Sequence, residues 1–125
     1  MTTAFSIAFF GAAGCLTRYW LTALVNRWLG QHPFPYATLL VNLIGAFFIG
    51  LIMEFSLRST LVSPGLRIAL TVGFMGGLTT FSTFSLETFS LLERGYFGVA
   101  FANVLLSVVI CLGATWLGIS AARLI

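Results

Sequence analysis

Four long stretches of this sequence carry no charged side chain: residues 1–17, 28–53, 68–86 and 95–122 contain no Asp, Glu, Lys or Arg. A helix needs roughly 20 mostly apolar residues to cross a bilayer. Hydrophobic residues make up 59% of the chain and charged residues 7%, whereas soluble domains carry about 25% charged residues. The sequence therefore predicts an all-α membrane protein, a single domain over residues 1–125. Its four transmembrane helices are expected at about residues 4–24, 36–55, 66–92 and 96–122.

The first of these segments has a second interpretation, because a cleaved signal peptide is also apolar. A signal peptide begins with basic residues, but residues 1–17 have none, and Arg18 falls where the apolar core or the cleavage region would lie. We therefore expect a membrane span. Cys15 and Cys111 both lie inside predicted spans and are expected to pack rather than to bind a metal.

The arginines are distributed almost evenly between the two ends of the predicted spans. Arg58, Arg67 and Arg123 lie on the side of the N-terminus, and Arg27 and Arg94 lie on the other side, with Arg18 near the end of the first span. Orientation follows the excess of Lys and Arg in cytoplasmic loops, and here the excess is close to zero. We expect insertion in both orientations and an antiparallel, dual-topology homodimer with the symmetry of inverted repeats. The alternative is that few charges give a poor orientation signal.

The third predicted span contains an unusual string, 73-GFMGGLTTFSTFSLETFSLL-92. Glycine and β-branched residues are weak helix formers, so we expect a helix break over residues 75–82. Broken backbone at membrane depth is tolerated only where it is buried in protein or lines a cavity. With a two-fold partner, two such breaks could offer oxygens to one buried ion. The alternative is a close helix crossing, since Gly73 and Gly77 are four residues apart.

Phenylalanines and hydroxyl residues share the helix face that follows the predicted break. Phe81, Phe84 and Ser85 have helical spacing, and Ser82 lies three residues before Ser85. Hydroxyls donate hydrogen bonds, and the edge of an aromatic ring carries positive quadrupole charge. Such a lining suits a small anion that must bind weakly enough to be released. Phenylalanines that only pack are the alternative.

A few polar residues elsewhere lie within or near the spans. Asn42 lies about one turn into the second span and offers two amide donors. Arg18 and Glu87 are ionisable groups at or near membrane depth, where such groups usually have a function. The alternatives are that Arg18 snorkels to the interface and that Glu87 is merely close to the end of its span. Asn103 and Ser107 are expected to pack between helices.

The sequence also lacks the residue patterns of several functional classes. It has no cluster of His, Cys and carboxylates for a catalytic metal, no nucleophile with a neighbouring base and no phosphate-binding GxxxxGK[ST] loop. We therefore predict neither an enzyme nor a nucleic-acid partner. A small multidrug-type, proton-coupled exporter is the alternative transporter, but its carboxylate in the middle of the first span is missing from 4-AFSIAFFGAAGCLT-17. A third hypothesis is a membrane assembly subunit that transports nothing.

Three strings together resemble one known family. They are GGLTTFSTF (76–84), VNLIGAFFIG (41–50) with Asn42, and GAAGCLTRYW (11–20) with Arg18. They are similar to the Fluc fluoride channels, also called CrcB, and the resemblance covers the whole chain. It implies a fluoride-selective channel that passively exports toxic fluoride through two antiparallel pores per dual-topology homodimer. It also implies a bacterial cytoplasmic (inner) membrane, with fluoride, membrane lipid and a second copy of the chain as partners.

The resemblance also implies roles for individual residues. Backbone carbonyls of Gly76 and Thr79 would hold a central structural sodium ion, and Phe81 and Phe84 would be ring-edge ligands along the pore. The remaining pore positions would be Asn42 near the vestibule, Glu87 toward one pore end, and Ser82, Ser85 and Thr115 as a hydroxyl track. Arg18 matches the family position without an assigned role.

Overall fold

The structure is a computed structural model that describes residues 2–125, and every regular element within that range is helical. The elements are α1 (Thr2–Leu29), α2 (Tyr36–Arg58), α3 (Pro64–Ile68), a π-helical segment (Ala69–Met75), α4 (Gly76–Leu78), α5 (Phe81–Glu93) and α6 (Phe97–Arg123). Within the described residues, four helical runs are long and apolar enough to cross a membrane, and the third is the run Pro64–Glu93. The four predicted spans are therefore confirmed.

Small residues bring the helices together. α2 packs mainly along α6, and α1 packs along the π-helical segment and α4. Residues buried on α2 and α6 include Ala37, Gly45, Gly50, Ala100, Ala114 and Gly118. Large apolar side chains instead point outward, as in Phe9, which is 73% exposed, and Trp28, which is 82% exposed. Close backbone approach inside and bulky apolar groups outside are what a lipid solvent favours.

The third span is interrupted more narrowly than the sequence predicts. Only Thr79 and Thr80 leave the helix, and both lie inside the predicted segment 75–82. The glycines before them remain helical because α1 packs against them. A Cβ on Gly77 would overlap the carbonyl oxygen of Gly11, and one on Gly73 would lie 2.9 Å from the carbonyl oxygen of Ile7. The close crossing and the break are therefore both present, one directly after the other.

The connections between spans are short and capped. Ser63 begins α3 by accepting a hydrogen bond from the Leu66 N–H at 3.3 Å. After α5, Gly95 adopts a φ of 80°, a left-handed conformation that glycine allows without a steric penalty. At the membrane end that carries the C-terminus, Arg123 Nε donates to Glu54 Oε1 at 2.9 Å and ties α6 to α2.

Candidate functional site

The interruption lies near the middle of the third span. Thr79 has φ −83° and ψ 157°, and Thr80 has φ −152° and ψ 117°, so both residues are extended. The chain returns to helix at Phe81, where Thr80 acts as the N-cap: its Oγ1 accepts from the Thr83 N–H at 3.2 Å. Threonine suits both tasks, since it favours extended backbone and caps helices through its hydroxyl.

Asn42 of α2 contacts the interruption directly. Its Oδ1 accepts a hydrogen bond from the Thr80 N–H at 2.8 Å, and its Nδ2 donates to the Thr80 carbonyl at 3.1 Å. Asn42 is predicted to line the pore, and it also uses one donor and one acceptor in hydrogen bonds to the interrupted backbone. Because the amide has two N–H groups, one donor remains beyond this pair.

The carbonyls of Gly76 and Thr79, the two predicted sodium ligands, make no hydrogen bond to any donor among residues 2–125. Thr79 directs its own N–H and its hydroxyl to the Met75 carbonyl, at 2.9 Å and 2.8 Å. Gly76 is exposed, and a Cβ built on it would meet no atom within 4 Å. Unpaired carbonyls at membrane depth need a partner other than lipid.

One cavity collects several of the predicted pore residues. Its volume is about 350 Å³, and it lies between α2, α5 and α6 beside the interruption. Asn42, Phe81, Phe84 and Thr115 line it, together with Ser107 and Cys111. The rings of Phe81 and Phe84 have centroids 5.5 Å apart and planes inclined at 44°. The two rings therefore stand side by side at one wall of the cavity rather than stacked face to face.

The predicted hydroxyl track is only partly assembled in the single chain. Thr115 lines the cavity, with its Oγ1 donating to the Cys111 carbonyl at 3.0 Å. Ser85 is exposed and donates to the Phe81 carbonyl at 2.9 Å, and Ser82 is exposed with its Oγ 3.3 Å from Thr80 Oγ1. Neither serine lines the cavity that holds Thr115. Their exposed hydroxyls lie on the outer surface of α5.

Glu87 and Arg18 lie on the opposite side of the interruption. They share a second cavity of about 470 Å³ between α1, α2 and α5, which Thr80 and Thr83 also line. Glu87 Oε1 accepts from Thr38 Oγ1 at 2.8 Å, and Glu87 Oε2 is buried without a partner among the described residues. Arg18 makes no ion pair with Glu87 there, and its Nη2 lies 3.9 Å from Cys15 Sγ.

Two contacts at the candidate site are not evident from residue spacing alone. One joins Asn42 to Thr80 at the interruption, and the other joins Thr38 to Glu87. Thr38 and Asn42 do share one face of α2 in the sequence, and that spacing is the signal from which a contact with the third span could be inferred. What spacing cannot provide is the partner across the helix pair.

The two fourth-span residues that were expected to pack have different surroundings. Asn103 is 1% exposed, and its Nδ2 donates to Thr88 Oγ1 at 2.9 Å, which agrees with packing between α5 and α6. Ser107 donates to Asn103 Oδ1 at 3.5 Å and also lines the cavity beside Phe81 and Phe84. Asn103 is therefore a packing residue as expected, whereas Ser107 contacts Asn103 and also faces the cavity.

Comparison with known proteins gives a consistent result over nearly the whole chain. The family described as "CrcB-like protein, Camphor Resistance (CrcB)" matches residues 5–119. The chain belongs to the CrcB family. The predicted resemblance is thereby confirmed.

Individual relatives are similar over all or nearly all of their length. The chain is 64% identical over 125 residues, all of both chains, to the "Fluoride-specific ion channel FluC" of Geotalea daltonii. It is 63% identical over 123 residues, 98% of each chain, to the protein of that name from Geobacter metallireducens. A third, from Geobacter sulfurreducens, is 60% identical over 98% of each chain. Four spans and bacterial relatives indicate an integral, multi-pass protein of the bacterial inner membrane.

Proposed function

We propose that this chain is a fluoride-selective ion channel, not an enzyme, and that it passively exports toxic cytoplasmic fluoride. The observation that carries the proposal is the cavity at the interrupted third span, where two phenylalanine rings stand beside an amide and hydroxyl groups. The 64% and 63% identity to relatives named as fluoride-specific ion channels, over 98% or more of each chain, supports the same assignment. A passive pathway suffices, because HF crosses membranes and dissociates inside the cell, where it leaves trapped anion.

The chemistry of the cavity suits a small, strongly hydrated anion. Ring edges of Phe81 and Phe84 carry positive quadrupole charge, and the hydroxyl of Thr115 and the amide of Asn42 supply dipoles. Among the residues that the structure describes, no Arg or Lys lines this cavity. Fluoride is therefore stabilised by several weak contacts rather than trapped by one fixed cation, as conduction requires. In the proposed pore, Ser82 and Ser85 would join Thr115 in a hydroxyl track and Glu87 would lie toward one pore end, once a second chain brings these separate surfaces together.

The functional unit in this proposal is an antiparallel, dual-topology homodimer with two pores. Support comes from the even distribution of arginines and from the exposed residues of the third span. Gly76 is exposed, and Phe81 is 78% exposed although it follows directly after the interruption. A second copy in the opposite orientation would cover the free carbonyls, which lipid cannot satisfy. The exposed hydroxyls of Ser82 and Ser85 would then face protein instead of hydrocarbon.

A structural sodium ion on the dimer axis completes the proposal. The residues fit such an ion, since the carbonyls of Gly76 and Thr79 have no hydrogen-bond donor among the described residues and Gly76 lies at the surface. Among residues 2–125 there is no group of three or more His, Cys, Asp or Glu that could hold a metal. Neutral carbonyls suit a monovalent hard cation better than a divalent one, which usually recruits carboxylates.

A flux assay on purified protein tests the proposed function. Liposomes are loaded with potassium fluoride or potassium chloride, and anion release is started with a potassium ionophore. We expect rapid fluoride release, little chloride release and no requirement for a proton gradient. Equal release of both anions would show that the protein does not select fluoride over chloride. Transport that requires a proton gradient would favour the small multidrug-type exporter. No release of either anion would favour the assembly subunit.

A further inference from the structure

The peptide groups of Thr80 find their partners in α2 rather than in their own helix. The N–H bonds to Asn42 Oδ1 at 2.8 Å, and the carbonyl accepts from Asn42 Nδ2 at 3.1 Å. Thr80 is 9% exposed, and a buried peptide without partners would be strongly destabilised. One carboxamide therefore satisfies both polar groups of the residue at the centre of the interruption.

This pairing takes the place of a helical hydrogen bond. In a continuous α-helix, the Thr80 N–H would donate to the carbonyl four residues earlier, which is that of Gly76. In the structure Asn42 Oδ1 accepts this N–H instead, and the Gly76 carbonyl has no donor among residues 2–125. The Asn42 side chain thus competes directly with closure of the helix.

The neighbouring turns of α2 also contact the third span. One turn before Asn42, Thr38 Oγ1 donates to Glu87 Oε1 at 2.8 Å, about two turns beyond the start of α5 and away from Thr80. One turn after it, a Cβ on Gly45 would overlap the methyl group of Thr79, so glycine leaves the space that the interruption needs. A single face of α2 therefore contacts both the interruption and α5.

We propose that Asn42 is a positioning residue that holds the third span open by binding both peptide groups of Thr80. Thr80 is also the N-cap of α5, so its position sets the start of the helix that carries Phe81 and Phe84. Asn42 therefore acts on the ring edges and on the free Gly76 carbonyl through Thr80. Only the link to fluoride rests on the proposed function; the effect on the backbone does not.

Backbone ¹³C chemical shifts of the full-length protein in lipid test the proposal, because they report whether a residue is helical or extended. Asn42→Leu keeps the branched shape of the side chain, although its two methyl groups are bulkier, and it removes both hydrogen bonds. We expect the Cα shifts of Thr79 and Thr80 to move toward those of helical threonine, and the ratio of fluoride to chloride release to fall. A loss of flux with unchanged Thr79 and Thr80 shifts would overturn the proposal, since Asn42 would then act only as a pore ligand.

Two further variants keep the test decisive. Asn42→Asp retains an acceptor for the Thr80 N–H but loses the donor, so Thr80 should stay extended while its carbonyl shift changes. An unchanged carbonyl shift in this variant would contradict the proposal even if Asn42→Leu does not fold. The matched control is Thr38→Val, one turn away on the same face of α2, which should leave the Thr79 and Thr80 shifts as in the parent. The shifts are measured without fluoride, so they remain interpretable if the flux assay fails.

Discussion

At the scale of single residues, the central question is whether the rings of Phe81 and Phe84 contact the anion or only fill space. Replacing either by isoleucine keeps apolar volume and removes the ring edge. Volume-conserving swaps usually cost under about 1.5 kcal/mol of stability, so the protein should still fold. We expect fluoride flux to fall at least about tenfold, which corresponds to roughly 1.4 kcal/mol on the permeation barrier. The fall is measured as the rate of fluoride release from proteoliposomes of matched protein content.

The control for this substitution lies on the same helix. Phe89 is 60% exposed on α5 and does not line the cavity that holds Phe81 and Phe84. Phe89→Ile should therefore leave flux close to that of the parent protein. Near-normal flux from both Phe81→Ile and Phe84→Ile would mean that the rings only pack.

At the scale of helices, the crossing of α1 with the third span depends on Gly77. A Cβ there would overlap the Gly11 carbonyl and lie 3.0 Å from the Cys15 backbone nitrogen. Overpacking of this kind costs about 1–3 kcal/mol, so Gly77→Ala should lower the temperature at which the protein aggregates in detergent. Size-exclusion profiles after heating give the measurement.

Gly98 of α6 provides the comparison for that change. A Cβ at this position would meet no atom within 4 Å, and alanine is the better helix former. Gly98→Ala should be as stable as the parent protein or more so. If Gly77→Ala behaves in the same way, the close crossing does not contribute to stability.

The helices and the location of the interruption could be predicted from the sequence, but its geometry could not. Long apolar stretches determine the spans, because lipid leaves a backbone few alternatives to a helix. Glycine propensity places the break too broadly, since packing against α1 keeps Gly73 and Gly77 helical. The pairing of Asn42 with Thr80 joins residues 38 positions apart. Spacing within one helix places Asn42 on a polar face of α2 but does not identify the residue that it contacts on another helix.

The candidate site also contains features that the sequence predicts and features that it does not. Phe81, Phe84, Asn42 and Thr115 line one cavity, while their role in a pore stays a prediction. Glu87 instead lies in a different cavity with Arg18. A pore formed between two chains would explain why one chain alone does not bring every predicted residue together.

At the scale of the whole molecule, the balance of arginines predicts both orientations from a single expression. Adding two lysines at the C-terminus should bias insertion and reduce fluoride flux, because the proposed dimer needs one copy in each orientation. Labelling of single introduced cysteines from each face of the membrane reports the orientation. Two added glutamines serve as the length control, and a parent chain labelled from one face only would contradict dual topology.

The proposed central ion gives a second prediction at this scale. Prolonged removal of sodium should reduce fluoride flux, because the free carbonyls would lose their compensating charge, each at a cost of about 1–3 kcal/mol. The loss should develop slowly, since departure of the ion exposes several carbonyls at once. Readdition of sodium should restore flux. Full fluoride flux after sodium has been exchanged exhaustively for a large organic cation would show that the channel does not need a structural sodium ion.

The reversal potential across a planar bilayer tests most directly whether this chain forms a passive, fluoride-selective channel. With opposed gradients of fluoride and chloride, a passive fluoride-selective channel should carry a steady current that reverses near the fluoride equilibrium potential. The current should persist without a proton gradient. A reversal near the chloride potential, or no current from protein that is folded and inserted, would mean that the chain is not a fluoride-selective channel.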